Sequence, residues 1–206
     1  MDEILKYFPD LSDRQREQVA TMLQLYPEWN ERINVVSRKD IDNLAVHHIL
    51  HSLAIAKFHT PAAGARILDL GTGGGFPGIP LAMMWTDCRF LLLDRIAKKL
   101  RVAEAVAEGM GLDNVQFMHG DSGECREKFN YVVSRAVMPL ADLIKASRHL
   151  IAPSAKEGLP NGIICLKGGD LEQEIADAGR PVIDIPLTDY FSNPYFESKH
   201  LLYIPL

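Results

Sequence analysis

A glycine-rich segment that directly follows a short apolar run constrains the fold of this chain more than any other feature. Residues 66–81 read RILDLGTGGGFPGIPL, with glycine at positions 71, 73, 74, 75 and 78. Because glycine lacks a Cβ atom, such a backbone can take positive φ and lie close to a ligand. A helix that begins between Pro77 and Pro80 would point its free N–H groups at the same crevice. The segment therefore predicts a strand, a loop that binds a nucleotide-like ligand, and a helix.

The chain after residue 65 alternates β-rich runs with amphipathic helical patterns, which is typical of a parallel sheet covered on both faces. With 206 residues, 47% of them apolar, the chain can bury a core of this size. Helices are predicted at Ile96 to Gly109, Leu140 to Leu150 and Leu171 to Ala178. The seven predicted strands are Arg66 to Leu70, Arg89 to Leu93, Val115 to Met118, Tyr131 to Ser134, Gly162 to Leu166, Val182 to Ile185 and His200 to Ile204.

The first 60 residues have a different, helical pattern and predict a helical cap at 1–60 on a Rossmann-like domain at 61–206. Ser12 followed by Gln15 resembles a capping box that opens the first long helix. Only a loop rich in Pro, Asn, Asp and Ser separates the last two strands, so an antiparallel final hairpin is expected. Residues 152–162, APSAKEGLPNG, are expected to form an exposed loop.

Two carboxylates that flank the glycine loop indicate which ligand it binds. Asp69 stands two residues before the first glycine, where it would be a poor neighbour for a pyrophosphate but would suit the sulfonium and ammonium of S-adenosylmethionine. Asp94 ends the second strand, where an acid can accept hydrogen bonds from both ribose hydroxyls. A nicotinamide-dependent oxidoreductase shares the loop and Asp94 and stays a rival, since glycine spacing alone discriminates weakly. It also stays open that Asp69 has a purely structural role and only caps the turn.

The composition of the chain limits which binding partners and which cellular compartment are expected. The net charge of -5 gives no chain-wide basic signal, so a nucleic-acid partner would have to meet a local patch. Cys88, Cys125 and Cys165 lie far apart and form no CxxC pair, so neither a zinc knuckle nor a disulfide framework is indicated, and a reducing cytoplasm fits. No basic-then-apolar leader and no apolar stretch of about 20 residues is present, so a soluble cytoplasmic protein without a membrane partner is expected. No obligate protein partner is evident.

At this point the residues resemble a known family, the RsmG (GidB) methyltransferases of small-subunit ribosomal RNA. The glycine motif DLGTGGGFPGIPL carries the resemblance, and its FPGIPL continuation at Phe76 to Leu81 makes it specific. Five further ordered segments are similar to family motifs: WNERINVVS at 29–37, HILHSLA at 48–54, SRAVMPL at 134–140, LKGG at 166–169 and KHLLYI at 199–204. The resemblance implies a class I S-adenosylmethionine-dependent methyltransferase with a seven-stranded, mostly parallel sheet and an N-terminal helical extension.

The resemblance also implies a site. It implies that the cofactor S-adenosyl-L-methionine lies against Gly71 and Phe76, its ribose on Asp94 and its adenine near Ser122 and Gly123. Arg135 and Lys167 would position the substrate, and no residue is required as an acid or base or as a metal ligand. The full set predicted to bind the cofactor is Asp69, Gly71, Gly73, Gly75, Phe76, Asp94, Ser122, Gly123 and Arg135. The implied product is N7-methylguanosine in a loop of 16S rRNA near the decoding region.

Three positions depart from the family pattern. His51 stands where the family usually has aspartate, Lys199 where it has arginine, and HGDSGEC at 119–125 replaces a segment that typically carries an arginine. The last change leaves open that Asp121 binds the adenine amino group. Another RNA or small-molecule acceptor, and a ribosome-assembly factor without catalysis, also stay open.

Several other side chains are candidates for RNA or metal binding. His47, His48 and His51 have helical spacing, but no HExxH acid accompanies them, and His48 is expected to pack the cap onto the domain or to border the active site. Aromatic residues between Tyr190 and Phe196 would either stack on a flipped base or anchor the core. Basic residues that could guide RNA phosphates are Arg14, Arg16, Arg32, Arg38, Lys39, Arg95, Lys98, Lys99 and Arg101.

Overall fold

The computed structural model describes residues 1–135, 137–154 and 158–206 and contains one seven-stranded sheet. Its strand order is β3-β2-β1-β4-β5-β7-β6. The strands are β1 (Arg66–Leu70), β2 (Arg89–Asp94), β3 (Val115–His119), β4 (Tyr131–Arg135), β5 (Gly162–Gly168), β6 (Ile183–Pro186) and β7 (Lys199–Pro205). All seven predicted strands are present.

The sheet is parallel except at β7. Strand β1 pairs in parallel with β2 on one side and with β4 on the other, whereas β7 runs antiparallel to both β5 and β6. The strand order therefore reverses between β1 and β4, and this is where open α/β sheets bind ligands, beyond the carboxyl ends of the strands. The predicted antiparallel final hairpin is confirmed, and its connection contains only two short 3-10 turns, Leu187–Asp189 and Pro194–Phe196.

Helices cover both faces of the sheet. Consecutive residues of β1 illustrate why the central strands are mostly apolar on both faces: Ile67 belongs to one buried cluster and Leu68 to the other. The helices after β1 are α4 (Gly78–Met84), α5 (Ala97–Gly109), α6 (Leu140–Ser147) and α7 (Glu172–Asp177). The predicted helix at Leu140 to Leu150 changes to a 3-10 turn at Arg148–Leu150.

The leader is helical but not uniformly so. It contains α1 (Asp2–Tyr7), α2 (Asp13–Asn30), a 3-10 turn (Ile41–Asn43), a π-helical segment (Leu44–Leu50) and α3 (His51–Phe58). The capping box is confirmed, because the Ser12 side chain accepts from the Gln15 backbone while the Gln15 side chain accepts from the Ser12 backbone. Within the described residues, no helix combines the length and apolar character needed to cross a membrane.

The leader packs directly on the sheet domain. Val19 and Met22 of α2 are fully buried in the same cluster as Ile67, and Gln18 Nε2 donates to the Met110 carbonyl at 3.0 Å. The division at residues 60 and 61 stays a prediction. Two sequence predictions touch positions outside the described residues: Ala136 of the SRAVMPL segment, and residues 155–157 of the expected exposed loop.

Candidate active site

A cavity of about 640 Å³ opens at the carboxyl ends of the strands β1, β2 and β4. Its volume lies within the range of small-molecule and cofactor sites. The lining residues are Leu70, Gly71, Gly73, Leu93, Asp94, Arg95, Ile96, Lys99, Asp121, Ser122, Arg135, Val137, Met138 and Ala146. The cavity therefore lies at the point where the strand order reverses, between β1 and β4.

The glycine loop forms one wall of this cavity and is held by the acid at the end of β2. The backbone N–H of Gly73 donates to Asp94 Oδ2 at 2.7 Å, and the N–H of Ile96 donates to Asp94 Oδ1 at 2.8 Å. Gly71 has a φ of +71°, and a Cβ atom there would lie only 2.8 Å from the side chain of Val137 across the cavity. A larger residue at 71 would therefore both strain the backbone and close the cleft.

Asp69 lies beneath the loop rather than in the cavity. It is fully buried, and its Oδ2 accepts from the Thr72 hydroxyl and, at 2.7 Å, from the backbone N–H of Gly78. Its Oδ1 is buried and has no hydrogen-bond partner among the described residues. Burial raises the pKa of Asp69 to about 7, although these hydrogen bonds and Arg135 act in the opposite direction. The carboxylate thus ties the start of the glycine loop to the first turn of α4.

The segment after β3 forms the opposite wall. Asp121 and Ser122 both line the cavity, and Asp121 forms an ion pair with Arg95. Asp121 Oδ1 also accepts from the backbone N–H of Gly123 at 2.9 Å, so the carboxylate shapes the turn that presents Ser122. Both acceptors considered for the adenine edge, Asp121 and Ser122, therefore border the same space.

Arg135, the last residue of β4, joins the cavity to the leader. Its Nη1 donates to the His47 carbonyl at 3.2 Å, and its Nη2 lies 3.0 Å from His48 Nδ1. The guanidinium stands 5.0 Å from the centre of the Phe76 ring, a cation–π distance. Tyr26 packs on the other side of this region, with its ring 4.6 Å from that of Phe76 and its hydroxyl donating to the Gly74 carbonyl at 2.8 Å. The leader therefore supports both the glycine loop and Arg135.

Lys167, near the end of β5, is already paired. Its side chain is 9% exposed, and its ammonium forms an ion pair with Glu174 and donates to the Met138 carbonyl. Glu174 Oε1 also accepts from the backbone N–H of Leu140 at 2.6 Å. The pair connects β5 and α7 to the segment that carries the cavity residue Met138.

Comparison with known proteins shows the family to which this chain is related. The model of the GidB family, described as rRNA small subunit methyltransferase G, matches residues 15–185. The chain belongs to the GidB family. The ribosomal RNA small subunit methyltransferase G of Bacteroides fragilis is 51% identical over 206 residues, which cover all of both chains. The family resemblance, the class of enzyme and the fold class predicted from the sequence are thereby confirmed.

Solved structures with low sequence identity share the fold. A precorrin-6y C5,15-methyltransferase from Geobacter metallireducens superposes with a TM-score of 0.56 at 12% identity, over 84% of this chain and 92% of that one. A mutant of MtNAS in complex with S-adenosylmethionine gives a TM-score of 0.59 at 14% identity, over 93% and 76% of the two chains. These likenesses agree with the class I methyltransferase architecture of this GidB chain.

The cavity brings together some of the predicted site residues and not others. Those that line it are Gly71, Gly73, Asp94, Ser122 and Arg135, whereas its lining does not include Asp69, Gly75, Phe76, Gly123 and Lys167. Phe76 is 4% exposed and faces Tyr26, His48 and Arg135. The roles assigned to all ten residues remain predictions.

Sequence reasoning missed several residues of this region. Val137 and Ile96, two of the most exposed large apolar side chains, line the cavity, and Tyr26 contacts Gly74 of the loop from 48 residues away in sequence. No local pattern indicates such contacts. The acid Asp40, which hydrogen-bonds both His47 and His48, was also missed.

The histidines and the late aromatic residues form one packed cluster in this GidB chain. His48 contacts both Phe76 and Arg135, which confirms that it packs the leader onto the sheet domain. Phe191 and Phe196 are buried core anchors, whereas Tyr195 stacks on His47 with ring centres 3.7 Å apart and its hydroxyl lies 3.2 Å from His51 Nδ1. Burial and nearby Arg135 and Lys199 lower the pKa of His51 well below its usual value, so the ring is neutral.

Proposed function

We propose that this GidB family member transfers a methyl group from S-adenosylmethionine to ribosomal RNA of the small subunit, and that the acceptor is N7 of a guanosine. The observation that carries the proposal is the cavity at the β1/β4 switch point, where Gly71, Gly73 and Asp94 meet in a chain of this family. Relatives named for methylation of small-subunit ribosomal RNA support the choice of acceptor.

The residues of the cavity fit S-adenosylmethionine. Asp94 offers lone pairs to the ribose hydroxyls, since each carboxylate oxygen can accept more than the one backbone hydrogen bond it already has. Gly71 and Gly73 keep the loop free of side chains, and Ile96 and Val137 supply apolar surface for a flat base. Ser122 and Asp121 supply polar groups for the edge of adenine. When bound, this cofactor supplies an electrophilic methyl group carried on a sulfonium.

Asp69 has a different place in this proposal. It binds the Thr72 hydroxyl and the Gly78 backbone beneath the loop, so we assign it to shaping the loop rather than to direct contact with the cofactor. The reading of Asp69 as a cap for the turn, left open by the sequence, is thus the one that its hydrogen bonds favour. Gly75, Phe76 and Gly123 do not line the cavity either, and we assign them to shaping the segments that do.

The proposed acceptor explains why the chain needs no general base. Guanine N7 carries a lone pair and no proton. No proton therefore has to pass from this acceptor to the protein when the methyl group is transferred. The work of the side chains is then to hold the two reactants in line, and positioning of this kind lowers barriers by as much as about 7 to 11 kcal/mol at the ideal limit. Arg135 lines the cavity and is suited to the O6 edge of guanine or to phosphate.

The groove geometry of an RNA helix further limits where the target guanosine can lie. The major groove of an RNA helix is deep and narrow and hides N7, so the target has to lie in a loop or an opened segment. Lys99 and Arg95 line the cavity at its α5 side and could guide phosphates there. A ribosomal substrate also agrees with action in the cytoplasm and with a helical cap at 1–60 that borders the site.

The test is incubation of the purified protein with radiolabelled S-adenosylmethionine and either 30S subunits or deproteinised 16S rRNA from cells that lack the enzyme. Nucleoside analysis should find the label in N7-methylguanosine. Label in another nucleoside or in a small molecule would replace the acceptor. Cofactor binding without transfer to any RNA would favour the assembly-factor alternative, and binding of NAD instead of S-adenosylmethionine would overturn the proposal.

A further inference from the structure

Hydrogen bonds connect Asp40, in the leader, to the cavity residue Arg135 through a histidine. Asp40 immediately precedes the 3-10 turn at Ile41–Asn43, and its two carboxylate oxygens contact different rings: Oδ1 meets His47 Nδ1, and Oδ2 lies 2.7 Å from His48 Nε2. The other nitrogen of His48, Nδ1, lies 3.0 Å from Arg135 Nη2. One imidazole therefore bridges a carboxylate and a guanidinium.

The chemistry of the two neighbours fixes the tautomer of this imidazole. A guanidinium has only N–H donors, so the His48 Nδ1 that faces Arg135 has to be the acceptor. The proton of the neutral ring then lies on Nε2, where Asp40 accepts it. Burial and the nearby Arg135 lower the pKa of His48 to about 4, which agrees with a neutral ring at pH 7. In the opposite tautomer, an N–H of His48 would face the N–H groups of Arg135.

The backbone places both histidines within reach of one carboxylate. His47 and His48 lie in the π-helical segment Leu44–Leu50, a rare geometry that occurs frequently at functional sites. His47 is held in addition by its stacking on Tyr195, and its carbonyl accepts from Arg135 Nη1. In the described part of the chain, no group of three His, Cys, Asp or Glu side chains is arranged to hold a metal ion. The cluster is a network of hydrogen bonds.

We propose that Asp40 is a positioning residue for methyl transfer, which acts by holding His48 in the tautomer that accepts from Arg135 and thereby orients Arg135 toward the acceptor. This inference rests on the proposed function, in which Arg135 faces the substrate. The Asp40 side chain is 31% exposed and does not line the cavity. Its effect on the reaction is therefore indirect, as is common for residues that orient a histidine by accepting its N–H.

The substitution Asp40→Asn separates this role from simple packing. Asparagine has nearly the same shape but only one acceptor oxygen, and its NH₂ group would face the second histidine with a donor. We expect part of the His48 population to move its proton to Nδ1 and the contact with Arg135 to weaken. The rate of methylation at saturating cofactor should fall about 10- to 100-fold, the cost seen when a carboxylate that orients a metal-binding histidine is lost, while S-adenosylmethionine binding is retained.

The experiment combines NMR of the full chain labelled with ¹⁵N-histidine and the methylation assay on 30S subunits or 16S rRNA. In the wild-type protein, the His48 nitrogens should report a neutral ring with its proton on Nε2; in Asp40→Asn that signature should weaken as the proton moves in part to Nδ1, and the methylation rate should fall with it. Asp40→Glu, which keeps two acceptor oxygens, should restore both in part. Exposed Asp42→Asn, two residues further on, is the matched control and should change neither.

The outcomes are distinct. Wild-type methylation by Asp40→Asn, or lost activity with an unchanged His48 tautomer, would overturn the inference. Wild-type protein that binds the cofactor but labels no RNA would instead overturn the proposed function, and with it the role of Asp40 in transfer. That failure appears without any substitution, so the two cannot be confused.

Discussion

The backbone N–H of Gly73 donates a hydrogen bond to Asp94 Oδ2 at 2.7 Å, so the glycine loop after β1 and the acid at the end of β2 form a single unit. The sequence presents them as two motifs 21 residues apart. The parallel pairing of β1 with β2 brings their ends together. Asp94 therefore shapes the loop with the same carboxylate that is available to a ribose.

Replacement of Asp94 by alanine should weaken cofactor binding strongly. The variant loses the acceptor for the ribose hydroxyls and also frees the N–H of Gly73, and hydrogen bonds to a charged group contribute about 1.5–3 kcal/mol each. We expect the affinity for S-adenosylmethionine and S-adenosylhomocysteine, measured by calorimetry, to fall at least about tenfold. Exposed Asp113→Ala, before β3, is the control. An Asp94→Ala protein with wild-type affinity would contradict the assignment.

Arginine at position 73 should block the cavity without unfolding the protein. Gly73 has a φ of +57°, so a side chain there costs backbone strain of about 1–2 kcal/mol. A Cβ atom at this position would have no neighbour within 4 Å, so the substitution causes no clash in the core. Gly64→Arg is a matched control, because Gly64 also has a positive φ and open space but lies before β1. Both variants should lose similar stability in urea titrations, and only Gly73→Arg should lose S-adenosylmethionine binding. Normal binding by Gly73→Arg would exclude this cavity as the cofactor site.

The elements that the sequence could predict are those encoded by short-range pattern. Buried parallel strands are mostly apolar, and the run RILDL predicted β1 with the bounds Arg66–Leu70 that the structure has. The Ser12 capping box likewise involves residues only three positions apart. The π-helical segment at Leu44–Leu50 was not predicted, since its apolar spacing is close to that of an ordinary helix.

The parts of the site that were missed depend on long-range contacts. Asp69 was expected beside a cationic ligand, but the Gly78 N–H returns to it from the first turn of α4 and holds it beneath the loop. Tyr26 reaches Gly74 only because α2 packs against α4 and α5. Arg135 was predicted from a family motif, yet its contacts with His47 and His48 come from a segment more than 80 residues earlier.

The buried acid Asp69 should make stability depend on pH. Its folded-state pKa is raised to about 7 from an ordinary value of 3.8. Between these values the unfolded chain is ionised while the folded chain keeps the proton. The contribution of Asp69 is therefore complete below pH 4 and is lost as the pH rises through 7, by up to about 1.4 kcal/mol per pH unit.

Asp69→Asn isolates this effect because an amide does not titrate. We expect the free energy of unfolding of the cofactor-free wild type, minus that of Asp69→Asn, to decrease steadily from pH 5 to pH 7 in urea titrations. Exposed Asp87→Asn, before β2, serves as the control, and its difference from the wild type should stay constant. A constant difference for Asp69→Asn as well would show that Asp69 is ionised in the folded protein throughout this range.

Removal of the Arg135 guanidinium should abolish methyl transfer while the protein remains folded. Arg135→Ala loses the contacts with His47 and His48 and the face of Phe76. Arg135→Lys keeps the charge but cannot make both hydrogen bonds in the same plane. We expect both variants to remain folded by circular dichroism and to lose transfer to RNA, with the lysine variant only slightly better. Full transfer by Arg135→Ala would show that the guanidinium has no part in positioning the substrate.

The paired state of Lys167 allows its structural role to be separated from a role toward the substrate. Lys167→Met removes the ammonium and leaves Glu174 without its partner, whereas Glu174→Gln keeps the lysine and an acceptor for the Leu140 N–H. Because Glu174 is one-quarter exposed, we expect Lys167→Met to lose about 1–3 kcal/mol of stability, less than the 3–5 that a fully buried pair would lose. Glu174→Gln should lose less.

Methylation measured at a temperature where both variants are fully folded then decides between the roles. If Lys167 contacts the substrate, as the family motif implies, Lys167→Met loses transfer while Glu174→Gln retains most of it, since the ammonium is still present near the end of β5. We expect this result. Equal losses in the two variants would mean that the ion pair acts only by holding the segment of Met138 and Leu140 against the cavity, and Lys167 would then be removed from the substrate side of the site.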